Sequence, residues 1–220
     1  MTHSMKNKVK TSLIGTAVTV SKPLKRPSQP RAKFTVQAIY DAFIRIWQRE
    51  GWAGVTTRAV ALETGIAVGT LYDYFPNKEA LLSGYVRHCL DSLLESLAKE
   101  ATLASSLSWQ QRVNVMINLT CGSQTAGQPL FDHGMLMLEH QIAEPKHHLR
   151  VFQELSAAWR ACLDACPDLP AQPTPAKLDS LLLAVWGGRR YFLLLSPAVM
   201  DQQVWIKEMQ ALCEQHLSVE

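Results

Sequence analysis

The sequence predicts an all-α fold, and three observations lead to that prediction. Apolar residues recur every three or four positions along most of the chain, which is the spacing of one helix face. Residues that typically start or stop helices stand at the ends of these segments. No segment alternates between apolar and polar residues as a half-buried strand does. With 220 residues, 47% of them hydrophobic, the chain is long enough for one large or two small helical domains.

The first helix is predicted over 36–50, with Thr35 as its N-cap and Gly51 as its end. Apolar side chains recur at helical spacing along it and should form the core of a small domain. These are Ile39, Phe43, Ile46 and Trp47.

The stretch 56–82 (TTRAVALETGIAVGTLYDYFPNKEALL) has the pattern of a helix-turn-helix. Thr56 or Thr57 caps a short helix, and a sharp turn follows at Gly65 because glycine tolerates left-handed backbone. A second short helix runs over 68–75, where Pro76 ends it. Asn77 then caps the next helix. We expect a buried face made by Val60, Ala61, Leu62, Ile66, Leu71 and Phe75.

Further helices are predicted downstream from their apolar stripes and their caps. A long helix begins near Asn77 and extends to about 103, and Ser108 caps the one after it. Later helices are expected over 109–125, 145–165, 176–195 and 199–217. Between them lie a Met-rich apolar segment, 130–142, and a loop with four prolines, 166–175.

One motif within 56–82 is specific enough to indicate a family. The arrangement G-T-L-Y-x-Y-F-x-x-K-E-x-L-L resembles the DNA-binding domain of the TetR family of transcriptional regulators. The resemblance is carried by Thr57, Arg58, Ala61, Gly65, Gly69, Thr70, Leu71, Tyr72, Tyr74, Phe75, Lys78, Leu81 and Leu82. It implies a helix-turn-helix domain over 33–78 and a helical effector-binding and dimerisation domain over 79–220, which follow an extension over 1–32 that its composition marks as basic.

The residues expected to contact DNA surround the second short helix. They are Thr57, Arg58, Val68, Gly69, Thr70, Tyr72, Tyr74 and Lys78. Hydroxyl groups and cations near helix starts bind phosphates, whereas side chains on the recognition helix reach base edges. Val68 and Gly69 occupy base-reading positions but have no side-chain donor, so base readout should be apolar or sparse. Tyr72 and Tyr74 could alternatively be packing residues.

The resemblance also implies a pocket for a small-molecule effector in the larger domain. Its expected lining residues are Trp109, Met116, Phe131, Met135, Trp159, Trp186 and Tyr191, with His140, and alternatively His133 or Gln141, as polar anchors. Aromatic and methionine side chains at helical spacing are also typical of ordinary core, so that alternative stays open.

The last two helices are apolar on more than one face and suggest a partner surface. In the family such helices form the homodimer interface, and a dimer matches a palindromic double-stranded DNA operator. Gly187 and Gly188 fit close helix contact across the two-fold axis, or alternatively a kink or room for a bulky neighbour.

Charge is distributed unevenly along the chain. Residues 1–32 hold seven Lys or Arg and no acidic residue, so 33–220 carries a net charge of −4 within a total of +3. We expect this extension to be disordered, and either a phosphate-binding arm or a solvated tail.

The remaining signals place the protein in the bacterial cytoplasm, associated with the nucleoid. Five cysteines lack a disulfide-framework spacing, which fits a reducing compartment, and no apolar run is long enough for a membrane span.

We expect no cofactor and no metal. Cys162 and Cys166 are one turn apart and could bind a metal, act as a thiol switch or be two buried thiols. No catalytic motif is present, so an enzyme is not expected.

The sequence therefore predicts a homodimeric, ligand-responsive TetR-type repressor that a small-molecule effector releases from its operator. Two alternatives remain. The chain could be an effector-independent regulator or an activator, or it could be a helical small-molecule-binding protein with a vestigial helix-turn-helix.

Overall fold

The computed structural model describes residues 23–24, 29–122, 128–195 and 200–218, and the all-α prediction is confirmed across these ranges, which contain no strand. The helices are α1 (Pro30–Gly54), α2 (Thr57–Thr64), α3 (Val68–Tyr72), α4 (Lys78–Ser96), α5 (Trp109–Thr120), α6 (His133–Met137), α7 (Pro145–Asp164), α8 (Pro175–Leu195) and α9 (Gln202–Leu217). A π-helical segment, Leu97–Thr102, continues α4, and a 3-10 turn, Glu139–Gln141, follows α6.

The first helix begins at Pro30, earlier than the start at Val36 that we expected. Proline suits the first helical turn because its φ is already fixed and its missing N–H has no intrahelical acceptor there. Gly51 interrupts the regular helix with a φ of 65°. Most of the extension predicted over 1–32 lies outside the described residues, whereas Pro30 to Ala32 form the first turn of α1.

Side-chain caps fix the starts of three helices at the predicted residues. Thr56 Oγ1 accepts a hydrogen bond from Ala59 N–H at 3.0 Å, and Asn77 Oδ1 accepts one from Ala80 N–H at 2.7 Å. At Ser108 a complete capping box begins α5.

Three helix ends differ from the expectation. The helix α3 ends at Tyr72 and not at Phe75, which precedes a proline and is therefore biased away from helical backbone. The helix α5 ends at Thr120, because Gly122 has already left helical geometry with a φ of 71°; residues 123–125, where the helix was expected to continue, lie outside the described residues. The last helix starts at Gln202, after the N-cap Asp201.

The side chains form two hydrophobic cores. The first core joins α1, α2 and α3 to the N-terminal half of α4 and to the segment around α6, and the second joins the rest of α4 to α5, α7, α8 and α9. In α4, Leu81 and Leu82 belong to the first core, whereas Leu90 and Leu93 belong to the second. One continuous helix therefore contributes to both cores.

The short helix α6 packs onto α1. Met135 is fully buried in the first core, and Trp47 Nε1–H donates a hydrogen bond to Asp132 Oδ2 at 2.8 Å. A Cβ atom on Gly134 would lie 2.8 Å from Trp47 Cζ2, so glycine is what permits this contact. The first core thus includes residues beyond 78, and the division of domains at that position stays a prediction.

Candidate DNA interface and ligand cavity

The turn between α2 and α3 has helix-turn-helix geometry. Gly65 adopts a φ of 76°, in the left-handed region that glycine occupies without strain. Its N–H donates to Leu62 O at 3.1 Å, and Ile66 N–H donates to Ala61 O at 3.0 Å. These bonds satisfy the last carbonyls of α2 and redirect the chain into α3.

Buried apolar side chains hold α3 in place. Leu71 is 0% exposed and Phe75 2%, as the sequence predicted, and they contact the core that includes Val60 and Ala61. Leu62, in contrast, is 82% exposed, so its predicted place on the buried face is wrong. Three consecutive residues span about 200° of a helix and do not share one face.

The opposite side of α3 is open. Val68, Gly69, Thr70 and Tyr72 are all exposed, and a Cβ atom on Gly69 would have no described atom within 4 Å. The surface at which a recognition helix would meet base edges is therefore free of other parts of the described chain.

A hydrogen bond joins the start of α2 to the end of α3. Thr57 Oγ1 and Tyr72 Oη lie 3.1 Å apart, and either hydroxyl can donate. Arg58 follows on the exposed side of α2. Because a hydroxyl both donates and accepts, this pair can hold its own contact while one member binds a phosphate oxygen. Tyr74 is half-buried, and its backbone carbonyl accepts a hydrogen bond from Leu24 N–H at 2.9 Å.

Lys78 is the first residue of α4, and its ammonium group is held over an aromatic ring. Its Nζ lies 4.2 Å from the centroid of the Trp52 ring, a cation–π contact. The structure thus places the eight predicted DNA-binding residues on α2, on α3, in the segment that leads into α4 and at the first position of α4. Their contacts with DNA stay predictions.

A cavity of about 150 Å³ lies beside the first core, between the segment before α6, the end of α5 and α8. Its lining includes the guanidinium-bearing Arg189, a polar Gln202, and apolar side chains from two sides. The full lining is Cys121, Gly122, Leu130, Phe131, Asp132, His133, Arg189, Phe192, Leu193 and Gln202.

Arg189 projects into this cavity without a counter-ion. Its Cζ lies 4.9 Å from the Trp186 ring centroid and 5.5 Å from that of Phe131, and no carboxylate among the described residues forms an ion pair with it. Desolvation lowers the pKa of its guanidinium, although arginine remains charged. The neighbouring Arg190, in contrast, donates to both carboxylate oxygens of Glu139.

The predicted effector-binding residues do not come together. Phe131 lines the cavity and Trp186 packs against Arg189, but the other six lie elsewhere. Trp109, Met116 and Trp159 are buried in the second core, Met135 is buried in the first, and His140 and Tyr191 are exposed. Trp159 Nε1–H donates to the buried Thr120 Oγ1 at 3.0 Å, so its polar group is already satisfied.

Sequence reasoning missed Arg189, Gly122 and Gln202 as cavity residues. A signal was present, because two arginines stand together inside the most apolar helix of the chain. Neither arginine has an acidic residue three or four positions away in α8, so neither finds a partner on its own helix.

Cys162 and Cys166 are two buried free thiols. Cys166 Sγ–H donates to Cys162 O at 3.3 Å, and Cys162 Sγ lies 3.2 Å from Thr102 Oγ1. Burial raises the pKa of both thiols, which disfavours the nucleophilic thiolate. Among the described residues, no group of three or more His, Cys, Asp or Glu is placed to hold a metal ion.

Comparison with known proteins agrees with the helix-turn-helix geometry of α2 and α3. Residues 39–84 match the family model of bacterial regulatory proteins, tetR family. The transcriptional repressor KstR of Mycolicibacterium smegmatis is 37% identical over 79 residues, which is 36% of this chain and 38% of KstR. The transcriptional regulator BetI of Burkholderia thailandensis is 23% identical over 155 residues, or 67% of this chain and 77% of BetI.

Solved structures share most of the fold. A TetR-family transcriptional regulator from Streptomyces coelicolor superposes with a TM-score of 0.60 at 19% identity, covering 84% of this chain and 96% of that one.

No described helix is long and apolar enough to cross a membrane.

The left-handed turn at Gly65 and the open face of α3 are the geometry of a helix-turn-helix, the motif whose second helix lies in the DNA major groove. Residues 39–84 therefore carry the helix-turn-helix of the tetR family of bacterial regulatory proteins, and the described chain shares the fold of solved TetR-family regulators.

Proposed function

We propose that this chain is a homodimeric transcriptional repressor that binds a palindromic operator and is released from it by a small-molecule effector. Its place of action would be the bacterial cytoplasm, on the nucleoid. The observation that carries the proposal is α4, a single helix whose two ends lie in different cores. A change in the second core can therefore reorient the helix-turn-helix.

In this proposal α3 enters the major groove and its surroundings bind the backbone. Thr70 and Tyr72 contact phosphates or base edges from α3, while Thr57, Arg58 and Lys78 bind phosphates on either side. The Thr57–Tyr72 hydrogen bond and the Trp52–Lys78 contact hold these groups in position before DNA binds. Fixed groups lose less conformational entropy on binding.

The proposed dimer interface is formed by α8 and α9. Leu183, Gly187, Tyr191 and Leu194 form an exposed stripe along α8, and Val204 is exposed on α9. A run of apolar side chains of this kind on a helix surface is typical of a partner contact.

The two glycines of α8 support this arrangement in different ways. A Cβ atom on Gly188 would lie 3.0 Å from Trp205 Cζ2, so Gly188 makes room for a neighbour within the same chain. Gly187 faces outward, with no described atom within 4 Å of such a Cβ atom, and would allow close contact with a second subunit.

Effector release would follow from a shift in α4. If the effector binds better to the conformation in which the two recognition helices no longer match successive major grooves, DNA affinity falls. A coupling free energy of about 1–3 kcal/mol is sufficient for a 5- to 150-fold change.

The first experiment is selection of bound sequences from a random DNA pool, with the full chain and with a chain that starts at Pro23. That start keeps the Leu24–Tyr74 backbone hydrogen bond. An enriched palindrome supports the proposal, and weaker enrichment by the short chain would make the extension a general phosphate clamp. No enrichment from either chain would contradict it.

The dimer is tested by introducing a charge into the exposed stripe. We expect the double variant Leu183→Glu, Tyr191→Glu to sediment as a monomer, since a buried unpaired carboxylate is costly. Leu103→Glu, at a residue that is 76% exposed outside α8 and α9, is the matched control and should remain dimeric. A dimeric double variant would contradict the proposed interface.

The alternative functions give different results. An effector-independent regulator would bind the same operator with an affinity that no small molecule changes, and an activator would raise expression of a reporter gene. For a protein with a vestigial helix-turn-helix, Tyr72→Phe and Lys78→Ala would leave function unchanged. The exposed face of α3 and the ordered phosphate-binding groups beside it favour DNA binding.

A further inference from the structure

The cavity beside α6 contains a cation that forms no ion pair with the described residues. Arg189 reaches it from the middle of α8, where its guanidinium donates no hydrogen bond to any described residue and forms no ion pair with one. Of the other half-buried arginines, Arg190 is paired with Glu139 and Arg87 with Asp91 and Glu154, whereas Arg160 on α7 forms no ion pair with a described residue. Arg189 is half-buried, and even partial removal of a guanidinium from water without such a partner is unfavourable.

Aromatic contacts leave the hydrogen-bonding capacity of Arg189 unused. The cation lies over the Phe131 and Trp186 rings, which stabilise its charge but accept none of its five N–H groups in conventional hydrogen bonds. The fork of a guanidinium matches the two oxygens of a carboxylate. A bound carboxylate would therefore supply both the missing charge and the missing acceptors.

Glycine at position 122 keeps the space around the guanidinium open. A Cβ atom there would lie 2.8 Å from Arg189 Nε and 3.1 Å from Nη2. The amide of Gln202 is close by, and its Nε2 reaches the carbonyls of Cys121 and Gly122 only at 3.4 Å. These long hydrogen bonds can be exchanged for a bond to a ligand oxygen.

The other polar groups of the lining limit the charge of the ligand. Asp132 accepts hydrogen bonds from Trp47 Nε1–H at 2.8 Å and from Met135 N–H at 2.9 Å, so it is engaged on the side of α1 and α6. His133 Nδ1 lies 2.9 Å from Leu193 O. Since Asp132 already places one carboxylate in the lining, each further negative charge on the ligand is repelled, so a monoanion that pairs with Arg189 suits the site better than a dianion.

The volume and the lining of the cavity limit the size and the polarity of the rest of the ligand. The cavity measures about 150 Å³, and a protein cavity of that size holds a molecule such as benzene. Leu130, Phe131, Phe192 and Leu193 provide apolar contact. We propose that this cavity binds a small monocarboxylate with a compact apolar or aromatic body, whose carboxylate pairs with Arg189. The role of this ligand as the effector rests on the function proposed above.

Calorimetric titration of the full-length protein, in a buffer free of carboxylates, tests the site. The probes are benzoate and butyrate, each compared with its neutral counterpart, benzyl alcohol or butanol. We expect each carboxylate to bind at least about tenfold more tightly than its alcohol, because only the anion pairs with the guanidinium. Equal binding of acid and alcohol would overturn the proposal, and this comparison needs no variant.

Substitution of the cation provides the second test. Arg189→Gln should reduce carboxylate affinity at least about tenfold and leave alcohol binding unchanged, while Arg189→Lys, with its single ammonium group, should retain part of the preference. Arg150→Gln, at an exposed arginine paired with Glu154 on α7, is the matched control. Undiminished benzoate binding by folded Arg189→Gln protein would refute the assignment.

The proposed ligand site and the proposed regulatory function can be refuted independently of each other. Carboxylate binding that depends on Arg189 but leaves affinity for the selected palindrome unchanged would establish the site and remove its ligand as effector. Release of the palindrome by a different class of molecule, with no carboxylate bound, would remove the site and leave the regulatory function intact.

Discussion

Substitution of Lys78 by alanine should change how DNA binding depends on salt. If each subunit places this ammonium on one phosphate, a dimer loses two such contacts, and the slope of log K against log salt should become less steep by about 1.8. The advantage of the wild-type protein over the variant should then shrink about 12-fold between 50 and 200 mM salt. The fold itself should tolerate the change, since alanine is a better helix former and only the contact with Trp52 is lost.

The assay is fluorescence anisotropy with a labelled duplex that carries the selected palindrome, measured at five salt concentrations. Lys99→Ala serves as the matched control, because Lys99 is exposed on the π-helical segment, outside the helix-turn-helix. Equal slopes for Lys78→Ala and the wild-type protein would refute the phosphate contact, even if the absolute affinity fell.

Three further substitutions test the body of the protein by urea unfolding. Thr120→Val should cost about 1–3 kcal/mol, because the buried Trp159 indole N–H loses its acceptor, and Trp159→Phe in that background should recover part of the loss. Arg112→Met should cost about 3 kcal/mol, since the buried guanidinium donates to three carbonyls at the end of the π-helical segment; a loss below about 1 kcal/mol would contradict this. Burial lowers the pKa of His88, which stacks on Tyr40, below its usual 6.5; stability should therefore fall as pH drops through 6.5, and His88→Gln should flatten that decline.

The sequence was most informative where structure is determined by neighbouring residues. The caps at Thr56, Asn77 and Ser108, and the turn at Gly65, depend on contacts within a few positions, and all are confirmed. The error at Leu62 arose because three consecutive apolar residues were assigned to one face.

The cavity could not be predicted, because its walls come from segments far apart in the sequence. Gly122, Phe131, Arg189 and Gln202 meet only through tertiary packing. A buried methionine or tryptophan gives the same helical pattern whether it faces a ligand or another side chain. Met135 illustrates this, since it packs into the first core and not into a pocket.

The segment that forms one wall of the cavity also contacts the first core, which contains the helix-turn-helix. Phe131 and Asp132 line the cavity, and Asp132 is hydrogen-bonded to Trp47 on α1. One residue earlier, Leu130 O accepts a hydrogen bond from Tyr85 Oη on α4 at 2.9 Å. In the proposed mechanism, a ligand that displaces Phe131 acts on α1 and α4 together, at the residues where both helices enter the first core. The DNA-binding domain then responds through two adjacent contacts, and α4 need not carry the signal alone along its length.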